Sequence, residues 1–399
     1  NMENLEPQDI TLAAPTGRAR GRLVESLNSE LQTTEQKEFF SQIEARTLHS
    51  LLGIGFRREI KPINAKIILV DECSMMDLRM FSRLLSSLNP GTKLILLGDK
   101  DQLPSVSAGQ ILADVTSAFV QIKGDQVSTS SLNASTMKCI QDNWDFEFPS
   151  DEIYLGDFEL QNYVVFLTKT FRSSTEILNW WQNPQDNTSE NISEEVWDIQ
   201  PDSWNKEAHV ELRKSKIQEY VNRFQKAKTL FRNLKLKGDS LYSLELSTNP
   251  ETSLLTLMDQ INTSFRILCA HNTGWLGVKW FNEECLKEFS GHSRAAEIVG
   301  TPIMVKRNQR IRNYTIANGD IGFIGKVQGE KQFRMMMVYG SEVISIPLNQ
   351  ISEWDYAFAI SIHKSQGSEF NEIVVATTRS VDSPLWTRQL IYTGVTRAK

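Results

Sequence analysis

Two strand ends in this chain carry the residue types that nucleotide hydrolysis needs. The run Ile67-Ile-Leu-Val-Asp71-Glu72-Cys73-Ser74-Met75 is an apolar strand closed by two adjacent carboxylates. At the carboxyl edge of a parallel sheet, where α/β ligands bind, the first acid can hold Mg²⁺ through water. The second can take a proton from a water attacking a γ-phosphate. An acidic helix N-terminus favoured by the helix dipole reads the same way, so this run alone does not decide. The second run is Leu96-Leu-Gly98-Asp99-Lys100-Asp101-Gln102-Leu103-Pro104. Gly98 frees the backbone, and Gln102 has the reach for a phosphate or the attacking water. By itself it is a turn of Gly, Asp and Pro. Both ends in one chain point to a nucleotide site.

The elements that must position these groups alternate. Strand-like runs fall at Leu12–Thr16, Lys66–Asp71 and Lys93–Asp99, with helical patterns at Arg18–Asn28, Asp77–Leu88 and Gln110–Phe119. Strands apolar on both faces and alternating with helices imply a parallel sheet covered on both sides. From Gln121 to about Gln161 the pattern dissolves, as in an irregular insertion. A strand at Tyr163–Lys169, a helix at Ser173–Trp181 and a polar loop at Asn183–Ser203 follow. After them come a long helical stretch over Lys206–Leu234, a buried strand at Phe265–Ala270 and a helix at Leu276–Glu288. Between Thr301 and Glu353 short β-like runs with glycine turns suggest a small antiparallel barrel. The α/β pattern resumes at Tyr356–Ser361, Glu372–Thr377 and Leu390–Thr393.

Composition narrows the class. At 399 residues the chain needs more than one core. It has no apolar run of the roughly 18 residues that a membrane helix requires, and no secretory leader pattern at Asn1–Ile10. The four cysteines, Cys73, Cys139, Cys269 and Cys285, form no C-x-x-C pair, which argues for reduced thiols in a cytoplasmic protein and against structural zinc. A net charge of −6 gives no support to a nucleic-acid partner, though a groove can be locally basic.

Seven blocks together resemble the ordered motor motifs of superfamily 1 helicases. They are Ala14-Pro15-Thr16-Gly17-Arg18-Ala19, Thr47-Leu48-His49-Ser50, Asp71-Glu72-Cys73-Ser74-Met75, Gly98–Pro104, Thr168–Arg172, Ile362-His363-Lys364-Ser365-Gln366-Gly367-Ser368-Glu369-Phe370, and Tyr392–Ala398. Asn318-Gly319-Asp320-Ile321-Gly322, ahead of the His363 block, is similar to the exodeoxyribonuclease V alpha-subunit (RecD) branch. That resemblance implies two RecA-like α/β motor domains with ATP and Mg²⁺ between them, and an SH3-like barrel inserted in the second. The expected division is 1–160 for the first domain, 161–302 with 355–399 for the second, and 303–354 for the barrel.

The resemblance also implies roles. Asp71 would serve the metal, Glu72 the attacking water, and Gln102 the γ-phosphate. Arg172 and Arg397, each after an apolar strand-like run, would act as cationic clamps; an ordinary ion pair suits either residue alone. Gly98, Asp99, Gly367 and Glu369 would border the nucleotide, with Glu369 accepting from its sugar. Pro15, Thr16, Arg18, Thr47, His49, His363, Lys364 and Gln366 would follow the backbone of single-stranded DNA, although Thr and His near helix starts are also ordinary caps. The branch implies 5′-to-3′ translocation and, as partners, the beta and gamma subunits of exodeoxyribonuclease V. A standalone helicase and a non-catalytic DNA-binding or assembly subunit remain open beside it.

One expected signature is absent from these 399 residues. A phosphate loop, G-x-x-x-x-G-K-[ST], does not occur; Gly325-Lys326 is followed by Val327 and lacks the earlier glycine, Asp320 standing there. The expectation is a piece of a longer ATP-dependent helicase that has no ATPase activity by itself.

Overall fold

The computed structural model describes residues 5–54, 60–105, 109–117, 121–123, 126–128, 207–232, 234–237, 240–243, 254–291, 298–340, 342–377 and 387–399. The expected strand at 163–169, the helix at 173–181, the loop at 183–203 and Arg172 lie outside them. In chain order the first elements are β1 (Ile10–Ala14), α1 (Gly17–Glu30), α2 (Thr34–Ser41), β2 (Glu44–Thr47), α3 (Leu48–Leu51), β3 (Ile67–Val70), α4 (Leu78–Ser86), β4 (Lys93–Leu96) and α5 (Ile111–Ser117). A short hairpin, β5 (Gln121–Lys123) and β6 (Gln126–Ser128), opens the segment expected to be irregular. Two compact units divide the chain: Asn1–Pro15 with Leu48–Arg172, and Thr16–Thr47 with Ser173–Lys399.

The first unit is built on parallel pairing. β3 lies between β1 and β4, with Ala13 opposite Val70 and Val70 opposite Leu96. Because strand side chains alternate, Ala13, Ile68 and Val70 share one face and are fully buried. Leu48, Leu52, Met76, Met80 and Leu84 close over that face. Asp77 starts α4 by accepting a hydrogen bond from the Met80 amide at 2.7 Å, which satisfies an otherwise orphaned donor. Met80 and Leu84, one turn apart, then face inward, while Leu78 and Leu85 stay exposed.

The second unit continues with α6 (Glu207–Asn222), α7 (Gln225–Leu230), the hairpin β7 (Leu234–Lys237) and β8 (Ser240–Ser243), α8 (Leu254–Ser264), β9 (Phe265–Cys269) and α9 (Val278–Phe289). The single long helix expected over Lys206–Leu234 is therefore broken after Asn222. β17 (Ala359–Ser361), α10 (Ile362–Ser365), β18 (Glu372–Ala376) and α11 (Arg388–Val395) end the chain, after the antiparallel strands described next. β9 is the middle strand of a parallel sheet between β17 and β18, with Cys269 opposite both Ser361 and Ala376. Its core is aromatic: Phe224 meets Phe358 edge-on at 5.2 Å and Phe265 at 5.9 Å. Leu390–Thr393 reads as part of a strand in sequence but lies in α11, which Thr387 caps through the Leu390 amide.

Between α9 and β17 stands an antiparallel sheet. It comprises β10 (Pro302–Val305), β13 (Ile321–Lys326), β14 (Phe333–Tyr339), β15 (Glu342–Pro347) and β16 (Trp354–Tyr356), with a side hairpin of β11 (Gln309–Ile311) and β12 (Tyr314–Ile316). The order β15-β14-β13-β10-β16 leaves β15 and β16 as its ends among the described residues. The insertion is thus β-rich as expected, but this pairing does not by itself close an SH3-like barrel. Tyr356–Ser361, expected as one strand, is divided: Tyr356 pairs antiparallel with β10 and Ala359 begins the parallel β17. One face of the sheet buries Ile303, Ile324, Met335 and Ile346 in a core of its own. The other sends Phe323 and Met336 into the α/β core, where Phe323 stacks on Phe231 at 5.2 Å. Sequence reading missed α2 and β2, which bury little.

Candidate active site

In the first unit, both expected strand ends reach the same edge. β3 stops at Val70, and the Asp71 amide still pairs with Ala13 O at 3.0 Å. Asp71 Oδ1 accepts from the Glu72 amide at 2.8 Å. Glu72 sits in the left-handed region at φ 54° and ψ 41°, a conformation that costs a non-glycine residue roughly 1–2 kcal/mol. Such strain collects where a side chain must be aimed. The chain then tightens into a 3₁₀ turn at Cys73–Met75, and the Cys73 amide donates to Leu97 O at 2.8 Å. That bond ties the loop after β3 to the loop after β4. Burial pushes the Cys73 thiol up to about 12, so it is inert at neutral pH.

Gly98 is required by this tie. A Cβ there would stand 2.7 Å from Leu112 Cδ2 and 3.0 Å from the Cys73 amide nitrogen. Its missing side chain serves the fit of the two loops to each other. Asp99 organises the next turn: Oδ1 accepts from the Asp101 amide at 2.9 Å and Oδ2 from Gln102 Nε2 at 3.3 Å. Gln102 is buried, and its Oε1 has no hydrogen-bond partner; Ser74 Oγ beside the Asp-Glu pair has none either. A buried carbonyl oxygen without a donor costs roughly 1–3 kcal/mol, so the loops hold an acceptor in wait. Among the described residues no group of three or more acid, His or Cys side chains could hold a metal. Mg²⁺ does not need one, since it is commonly held by one or two carboxylates plus phosphate oxygens and water.

In the second unit the expected residues gather around α10. Ser361 caps it through the Lys364 amide at 3.4 Å. Gln366 is buried, while His363 and Lys364 are half-buried. Burial holds His363 below its ordinary value; it does the same to Lys364, opposed by Asp355 and aided by Lys306. Gly367 takes φ 69°, and a Cβ would find its nearest neighbour, Ala19, at 3.8 Å. Glycine is needed there for backbone hand rather than for space. Glu369, expected to accept from a sugar, faces two cations: Arg22 Nη1 at 3.3 Å and Lys399 Nζ at 3.7 Å. Arg397 is wholly buried and folds back on α11, its Nε donating to Thr393 O at 3.0 Å. The Phe370 amide donates to Arg397 O at 2.8 Å, so the Gly367 turn and the Arg397 segment are joined.

The residues expected along DNA are spread over both units. Pro15 is buried at the end of β1, and His49 is exposed on α3. Thr47 ends β2 half-buried. Thr16 caps α1 through the Ala19 amide at 3.1 Å. Arg18 reaches Gly319 O at 3.5 Å and is lowered to about 10 by burial and by Arg22, with Asp320 and Glu25 opposing. Burial raises Asp320 while the Ala317 amide and Arg18 pull it down. Arg22 and Lys399 were not read from the sequence; the i, i+4 spacing of Arg18 and Arg22 on α1 was the available signal.

Comparison with known proteins gives the following similarities. A model described as an AAA domain matches residues 1–108, and one described as a UvrD-like helicase C-terminal domain matches 356–399. RecBCD enzyme subunit RecD of Haemophilus influenzae is 30% identical over 425 residues, covering 98% of this chain and 60% of that protein. The ATP-dependent RecD2 DNA helicase of Deinococcus radiodurans is 24% identical, covering 98% of this chain and 42% of its own length. Among solved structures, the Bacteroides Pif1 helicase gives a TM-score of 0.41 at 15% identity, covering 98% of this chain and 86% of that one. The chain thus spans about 60% of the RecD relative. Its similarity to RecD runs nearly end to end, and its two model matches enclose the loops of β3 and β4 and the turn at Gly367: the chain is similar throughout to RecD-type superfamily 1 helicases.

Proposed function

We propose that the protein containing this chain is an ATP-driven DNA helicase that translocates 5′ to 3′ along single strands. We further propose that it serves as the alpha subunit of an exodeoxyribonuclease V assembly, with beta and gamma subunits as partners. The observation that carries the reading is the joined pair of loops at the carboxyl ends of β3 and β4. They bring Asp71, Glu72, Asp99 and Gln102 to one sheet edge and leave Gln102 Oε1 without a donor. Bound Mg²⁺-ATP would supply the phosphoanhydride and the charge that polarises it. Asp71, its Oδ1 already held by a backbone amide, would offer Oδ2 toward the metal. Glu72 takes the proton of the attacking water on its carboxylate, and Gln102 Oε1 accepts from that water and orients it. Glu369 takes the sugar hydroxyl in place of Arg22, and Arg172 and Arg397 supply cationic charge. Pro15, Thr16, Arg18, Thr47, His49, His363, Lys364 and Gln366 position the DNA backbone. The similarity to a Deinococcus radiodurans protein named as a DNA helicase also favours DNA over RNA as substrate.

The test uses the full-length protein and a duplex with a 5′ single-stranded tail. Glu72→Gln is expected to bind ATP yet lose about 10²–10⁴-fold in turnover, the worth of a positioned base. Turnover within a few-fold of the parent removes Glu72 from that role. Unwinding that prefers a 3′ tail or a blunt end overturns the directional reading.

A further inference from the structure

Arg266 is a fully buried cation in β9, the middle strand of the second unit's parallel sheet. Among the described residues no carboxylate pairs with it. Its Nη1 donates to Ala357 O at 2.6 Å, and its Nη2 to Asn262 O and Oδ1 at 3.1 and 3.2 Å. Nε has no partner. The guanidinium carbon lies 5.5 Å from the Phe224 ring centre and 5.4 Å from that of Phe370. Burying a charge this way is expensive, and apolar residues of similar volume fill such sites at least as stably. Burial lowers the group to about 9, which still leaves it charged at neutral pH. A cation kept at that cost calls for a consequence, and Phe370 supplies one. Its amide donates to Arg397 O at 2.8 Å, and its carbonyl accepts from the Lys399 amide at 3.0 Å. The next amide, Asn371, donates to Thr263 O at 2.7 Å, close to the carbonyl that Arg266 holds.

We propose that Arg266 is a positioning residue: held between the Phe224 and Phe370 rings, it fixes the backbone clip at Phe370 that sets Glu369 and Arg397 relative to each other. This rests on the reading of those two residues as facing the nucleotide, but the clip itself can be examined without it.

The experiment uses the full-length protein with Arg266→Met, Arg266→Lys, Phe370→Leu and the Arg266→Met/Phe370→Leu pair. Amide hydrogen exchange is the first measurement. Segments 366–371 and 396–399 are expected to lose protection by about tenfold in Arg266→Met and in Phe370→Leu, a coupling typical of contacting residues, while β9 and β18 keep theirs. The double variant should lose no more than either single one. In turnover assays, the KM for ATP should rise by about tenfold with a smaller change in kcat, and Arg266→Lys should recover part of it. Unchanged exchange in both segments, or a uniform loss across the sheet, overturns the proposal. So do fully additive losses. If the parent protein hydrolyses no ATP, the proposed function fails and the exchange result still decides for or against the clip. Should Arg266→Met not fold, Phe370→Leu is read by the same measurements and the same outcomes.

Discussion

The first unit's candidate site and the second unit's are made in opposite ways. After β3 and β4 two loops bond to each other, Cys73 amide to Leu97 carbonyl, and keep an acceptor, Gln102 Oε1, without a donor. Around α10 the charged groups are engaged within the unit, with Glu369 facing Arg22 and Lys399 and Arg397 lying on its own helix, while Ser368 Oγ has no partner. The candidate acceptor of the first site, Gln102 Oε1, is open, while the candidate acceptor of the second, Glu369, is already paired. A ligand adds a bond in the first case and must replace bonds in the second. Differential interactions of the second sort are what let a site change state on binding.

The two glycines give the largest expected difference between the units. Gly98→Ala forces a methyl against Leu112 and the Cys73 amide, and overpacking of that sort costs roughly 1–3 kcal/mol. Gly367→Ala makes only an ordinary contact with Ala19 at 3.8 Å but must hold φ 69°, at roughly 1–2 kcal/mol. Urea unfolding of the chain measures both. Equal and small losses would mean that neither loop is fixed as described. Next in size is Gln102→Leu, which removes a buried carbonyl oxygen that lacks a partner together with the long Nε2 bond to Asp99 at 3.3 Å. These effects oppose each other, so stability is expected to hold within about 1 kcal/mol, while turnover of the full-length protein falls. A variant both less stable and fully active would assign Gln102 to structure alone. Smaller still is Arg22→Ala. Its partner Glu369 is partly shielded but Arg22 is about one third exposed, so the loss should lie within the 0–1 kcal/mol usual for such pairs.

How far the sequence carried differs between the units for the same physical reason. Asp71, Glu72, Asp99 and Gln102 are legible because each ends an apolar run, and period and polarity change at one residue. The parallel sheets follow from strands buried on both faces, as Ile67–Val70, apolar throughout, and Phe265–Cys269, apolar apart from Arg266, illustrate. What was not legible depends on partners remote in sequence. Arg22 meets Glu369 across 347 positions, and Arg266 meets Ala357 across 91. The strand-like run at Leu390–Thr393 became a helix because Thr387 caps it and Leu390, Thr393 and Gly394 fall on one buried side. The break after Asn222 is likewise tertiary: Phe224 turns inward to pack on Phe265 and Phe358. Gly98 was read as freeing the backbone beside the nucleotide; only the structure shows that its missing Cβ also leaves room for Cys73 and Leu112.

The smallest expected effect separates the units by pH. Burial holds His363 below its ordinary 6.5, so the folded chain disfavours the imidazolium. The unfolded chain then binds more protons at acid pH. The stability tied to neutral His363 is complete above 6.5 and falls away as pH drops from there through the lowered folded value. Melting temperatures of the parent and His363→Gln, compared between about pH 5 and pH 8, give the measurement. The parent should lose more on the acid side, and the two curves should run parallel above neutrality. Single-stranded DNA affinity of the full-length protein should show no step near neutral pH, because a half-buried neutral imidazole meets phosphate as a hydrogen-bond donor rather than as a charge. An affinity step centred at or above 6.5 that vanishes in His363→Gln would show that the imidazolium itself is the binding form, and would reverse the sign argued here.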